Sequence, residues 1–121
     1  MDKAQAIQGF WSQFGIPAYD ANTVPKDATM PYITYNLSTG KLGDVLPMNA
    51  SLWYQSYSWE DISKKAELIA HTIGYGYQIS KIDGGYIWIT QGSPFAQRMA
   101  DPDSDVRRIY INVMAEYLTA Y

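Results

Sequence analysis

Cysteine is absent from these 121 residues, and histidine occurs once. The first absence removes disulfides and thiolate metal sites. It suits a reducing compartment without requiring one. The second leaves His71 as the sole imidazole, too little for a histidine-based metal centre. No apolar run approaches the roughly 20 residues of a membrane-spanning helix. The opening MDKAQAIQGF lacks the apolar stretch of a secretory leader. Basic residues are scarce too: 9 against 12 acidic ones, a formal charge of -3. That balance lacks the electrostatic footprint of a nucleic-acid binder.

Signatures of chemistry are missing as well. No serine stands in a G-x-S-x-G setting. His71 falls near the end of a predicted helix, four residues after Glu67. A helix C-terminus and a carboxylate both favour a cationic imidazole there, a structural role rather than a catalytic one. DPDSD (Asp101, Asp103, Asp105) opens like a calcium loop, but Val106 and Asn112 stand where its glycine and final glutamate belong. GYGYQI carries G-x-G after a helix, without a third glycine, so it reads as a helix stop and a strand start. An aromatic platform for RNA would need interleaved basic residues, and only Lys81, Arg107 and Arg108 are near. The sequence therefore points away from an enzyme, a cofactor or a metal.

What is present is apolar and aromatic. The 47% hydrophobic content suffices for one domain spanning residues 1–121. Eleven tyrosines and four tryptophans divide between strands, which favour aromatics, and contact surfaces, which are enriched in them.

The first helix is capped by Asp2, carries the stripe Ile7, Phe10, Trp11 and Phe14, and stops at Gly15 and Pro17. Gly9 inside it costs about 1 kcal/mol relative to alanine, and a close backbone neighbour would account for it. Residues 16–30 read as a long loop. A strand is expected over 32–39, with Ile33, Tyr35 and Leu37 inward. Residues 40–47 form a second loop, and a strand over 48–57 turns Met48, Ala50, Leu52 and Tyr54 to one face.

Ser58 and Asp61 have capping-box spacing before the second helix. Glu60–Lys64 and Asp61–Lys65 are favourable pairs, Ile62, Ala66, Ile69 and Ile73 form its stripe, and Gly74 ends it. YQISKI and YIWITQ flank DGG, a hairpin signal. A connection over 92–105 leads to a last strand in which Ile109, Ile111, Val113, Ala115 and Tyr117 share a face. The order α-β-β-α-β-β-β implies an α+β domain: a mostly antiparallel sheet of about five strands with two helices on one face.

That order, with MPYITYNL at 30–37, YSWEDISKKAELIAHTI at 57–73 and RRIYINVMAEYLTAY at 107–121, resembles the tail-terminator (tail-completion) proteins of long-tailed phages and prophages. The resemblance covers most of the chain and rests on element order and length. It implies a virion structural protein at the tail–head junction, assembled in the bacterial cytoplasm. Such a protein forms a hexameric ring, or a monomer that the tube templates. Its partners are further copies of itself, the tail tube protein and the head-tail connector, and DNA passes through the lumen without sequence-specific binding. Alternatives are another neck or minor tail protein, or a soluble module holding a peptide or small ligand.

On this reading loops 16–30, 40–47 and 91–106 are arms for neighbours. The acids Asp101, Asp103 and Asp105 are expected to face tube or lumen. Arg98, Arg107 and Arg108 are expected either to meet acids of the neighbouring subunit or the tail tube, or to pair within their own loop. Tyr19 and Lys41 complete the candidate interface.

Overall fold

A computed structural model describes residues 1–74 and 78–121. The elements run α1 (Lys3–Ser12), β1 (Ala18–Asp20), β2 (Tyr32–Tyr35), β3 (Val45–Pro47), β4 (Ala50–Gln55), α2 (Glu60–Ile73), β5 (Gln78–Ile82), β6 (Gly85–Met99) and β7 (Val106–Thr119). Among the described residues the sheet has seven strands, in the order β1-β2-β4-β7-β6-β5, with β3 continuing the β4 side of β7. All pairings are antiparallel except β1 with β2.

The α+β class stands, with more strands than the sequence suggests. Each presumed loop hides sheet. Residues 16–30 contain β1, and 40–47 contain β3. The stretch over 92–105 is strand as far as Met99. Its GSP punctuation, read as a loop, is a bulge. Between Gln91↔Val113 and Ala96↔Ile111 the β6 chain carries extra residues, including a proline that cannot donate to the ladder. Asn112 opposite them donates from Nδ2 to the Pro94 carbonyl at 2.8 Å. A short break in pairing looks the same in sequence as a true loop. The first expected strand errs the other way. It ends at Tyr35, and Leu37 is exposed.

β7 is the central strand, and its alternation matches expectation: Ile109, Ile111, Val113, Ala115 and Tyr117 are all buried. With Ile33 and Tyr35 of β2, Ala50 and Leu52 of β4, and Ile87 and Ile89 of β6 they form the inner face. α2 lies across β4, β6 and β7 through Ile62, Ala66, Ile69 and Ile73. α1 packs against β1 and β5, the two edges of the sheet. A single helix reaches both edges because the sheet curls around it. Trp11, Phe10 and Phe14 fill the enclosed space, with rings 4.8 to 6.3 Å apart. The apolar spacing of α1 thus becomes the plug of an incomplete barrel.

Caps agree in part. Asp2 forms a full capping box with Gln5. Ser58 does not cap α2. Trp59 is the N-cap residue, and the Ser58 hydroxyl accepts from the Glu60 amide one step earlier, at 3.1 Å. Lys64 pairs with Glu60 as expected. Lys65 passes over Asp61 and donates to the Phe14 carbonyl at 2.7 Å, tying α2 to the end of α1.

Gly9 has no close neighbour. A Cβ there would meet nothing within 4 Å. Gly9→Ala is therefore expected to raise unfolding stability by about 0.5–1 kcal/mol, through the entropy of the unfolded chain. Urea denaturation would check it, and a loss of stability would show that α1 is not a free helical surface at this position.

Candidate assembly surface

The β6–β7 hairpin carries most of the charged candidates, and alternation sorts them. Arg107 shares the inner side of β7 with Ile109, and Arg98 of β6 lies opposite Ile109. Both guanidiniums reach Trp59 at the start of α2, with centroid distances of 4.7 Å for Arg98 and 5.3 Å for Arg107. Arg107 also donates to the carbonyls of Ser104, Val106 and Tyr57. Its Nε is buried without a partner. Arg108 points to the outer face, 4.7 Å from the Trp53 ring centroid, and donates from Nε to the Ser51 hydroxyl at 3.1 Å. The three arginines thus divide between two tryptophans on opposite faces.

The acids sit at the hairpin tip. An Asp101 carboxylate oxygen accepts from the Asp103 amide at 3.0 Å, and Asp105 accepts from the Gln55 side chain at 3.1 Å. No ion pair joins them to the arginines. Among the described residues the ion pairs within 4.0 Å are the Met1 amino group with Asp83, and Lys64 with Glu60. Tyr19 and Lys41 are elsewhere. Tyr19 stacks edge-on against Tyr32 at 5.8 Å, and Lys41 begins an exposed turn closed by Asp44. His71 is exposed on the last turn of α2. The G-x-G of GYGYQI and the first residue of YQISKI lie partly outside the described residues.

The outer face also holds apolar groups that motif reading missed. Register places Ile79, Trp88, Glu116 and Val45 in one row across β5, β6, β7 and β3. Lys81, Tyr86 and Leu118 form the adjacent row. Ile79 is 55% and Val45 51% exposed, and Tyr86, Trp88 and Leu118 are exposed too. A largely apolar strip of this kind, interrupted by Glu116 and edged by Lys81, marks a contact surface. Its signal was the second face of the strand alternation, Tyr86 and Trp88, which inward-looking patterns leave aside. Near Trp53 the same face has an open depression of about 370 Å³, lined by Tyr32, Thr34, Ser51, Arg108 and Tyr110 among others.

Burial pushes the pKa of three tyrosines away from this strip upward: Tyr35, Tyr54 and Tyr117. Asp20 adds to the effect at Tyr35, and Asp61 at Tyr54. Tyr35 donates to Gln8 of α1, and Tyr117 to the Ser38 carbonyl at 2.6 Å. These hydroxyls hold the fold. The unfolded chain releases such protons near pH 10.0 and the folded chain later. Stability is therefore expected to be fully present below about pH 10 and to fall as pH rises past it. Denaturant melts between pH 8 and 11 would test this, and a flat profile would contradict it.

Among the described residues no three His, Asp or Glu side chains gather as a metal site, and no helix is long and apolar enough to cross a membrane. No protein-family model and no curated protein matches the sequence. A solved structure matches the shape. A chain from the virion of a native gene transfer agent particle superposes with a TM-score of 0.64, over 94% of this chain and 92% of that one, at 17% identity. This chain has the fold of a virion component. The correspondence runs nearly end to end along both chains.

Proposed function

We propose that this chain is a structural protein of a phage-like virion and acts as its tail terminator. A ring of six copies caps the finished tail tube, ends its polymerisation and presents a surface to the head connector. The role is carried by surfaces, with no reaction and no cofactor. The observation that carries the reading is the nearly end-to-end likeness of fold to a chain of a gene transfer agent virion. The apolar outer strip supports it as a surface made to be covered. The formal charge of -3 also suits a lumen through which DNA slides without adhering.

The test has two steps. Light scattering over a concentration series should show a six-membered species, or a monomer moving towards one. Electron microscopy of tubes polymerised from the matching tail tube protein should then show a ring at one end and no further growth there. Tubes that lengthen unchecked in its presence would overturn the terminator assignment. Binding to the connector but not to the tube would make it a neck protein instead.

A further inference from the structure

Three cations and three anions occupy the end of the β6–β7 hairpin, and none of them pairs with another. Arg98, Arg107 and Arg108 have no carboxylate within 4.0 Å among the described residues, and Asp101, Asp103 and Asp105 have no basic partner there. The separation is built in. Trp59 and Trp53 contact the arginines at the stem, while at the tip Asp101 accepts from the Asp103 amide and Asp105 from Gln55 of β4. A guanidinium held over an indole ring has already lost rotamer freedom, so less is left to lose when a carboxylate arrives. The Arg98 and Asp103 side chains carry the least internal bonding: that of Arg98 has its contact with the Trp59 ring alone, and Asp103 uses only its backbone.

We infer that this hairpin end is where one copy binds the next, the acidic tip of one subunit resting on the arginine-bearing stem of its neighbour. The inference rests on the ring reading. Tip and stem are different surfaces, so the contact is heterologous, the kind that closes into rings. Closure then locates the hairpin. When patch and counter-patch belong to one molecule, each contact spans a chord equal to their separation, and in a six-membered ring the chord equals the radius. Asp103 and Arg108 are five residues apart, at most about 17 Å along extended chain. The hairpin ends must therefore surround the axis at about that radius or less, with their opposite charges matched between neighbours. The apolar outer strip is left for another virion protein.

Two variants test this. The stem variant is Arg98→Glu with Arg108→Glu, and the tip variant is Asp101→Lys with Asp103→Lys. Circular dichroism checks folding, and Arg98→Glu alone replaces the stem variant if that does not fold. Each variant by itself should need at least tenfold more protein for half-assembly. An equimolar mixture should return to within about threefold of the original, because reversed tip meets reversed stem and native tip meets native stem. Added salt should weaken the original ring. The same samples are read by ring occupancy on tube ends if rings form only there.

Folded variants that assemble like the original, or a mixture without rescue, overturn the hairpin contact while the ring stands. Intact rings that no longer bind the tube or the connector overturn it too, and assign the charges to that partner. An original chain that forms no ring in solution or on tubes removes the ring reading itself.

Discussion

Replacing Trp11 with alanine should remove about 3–5 kcal/mol of unfolding stability, a large share of what a domain of this size possesses. Trp11 is fully buried and packs edge-on against Phe10 at 4.8 Å and near Phe14 at 6.3 Å. It stands on a helix that touches both sheet edges, so the void opens where the curled sheet closes on itself. Trp11→Phe should cost much less. Phenylalanine retains a ring and deletes an indole N–H that is buried without a hydrogen-bond partner, a group whose isolation costs about 1–3 kcal/mol. Urea denaturation of both variants gives the comparison. A loss below about 1 kcal/mol for the alanine variant would mean that α1 is not the closure of the core.

The second large effect is expected at Gly85, where alanine should cost about 3 kcal/mol or more. A Cβ there would lie 2.0 Å from the Leu118 carbonyl oxygen and 2.8 Å from the Thr119 Cα. Both are backbone atoms of the paired strand, and neither can swing aside as a side-chain tip could. Gly85 pairs with Ile82 across the hairpin and with Thr119 across β7. Relief requires the strands to part or to slip, and a one-residue slip would turn Ile87 and Ile89 outward. Hydrogen exchange of β6 and β7 amides would show such opening directly. Unchanged stability and exchange would refute the close approach. The same substitution is thus expected to change sign between Gly9, which faces open space, and Gly85, which faces a backbone.

Particular residues show which parts were legible in sequence. The stripes of both helices and the inward set of β7 were readable because burial on one face imposes a period on the residues themselves. Asp2 as a cap was readable because its partner is three residues away. Ser58 misled by one position, since both Ser58 and Trp59 precede a helical run, and the N-cap is Trp59, whose ring lies against Arg98 and Arg107. The bulge in β6 misled more. GSP has loop chemistry, and its place inside a paired strand depends on Asn112, 18 residues later than Pro94.

The candidate surface divided along the same line. Arg98, Arg107 and Arg108 could be singled out by type. That two of them lie against one tryptophan and the third against another, on opposite faces, follows from strand register.

By itself the sequence determined the α+β class, the two helices, the central strand and the lack of motifs for chemistry, because each is a property of neighbours along the chain. Only the tertiary structure decided the curl around α1, the strands hidden in the presumed arms, the apolar outer strip and the unpaired charges of the hairpin. Each of these depends on which distant strands pair and in what register. Backbone hydrogen bonds between strands are made by every residue type alike, so local composition carries little record of them.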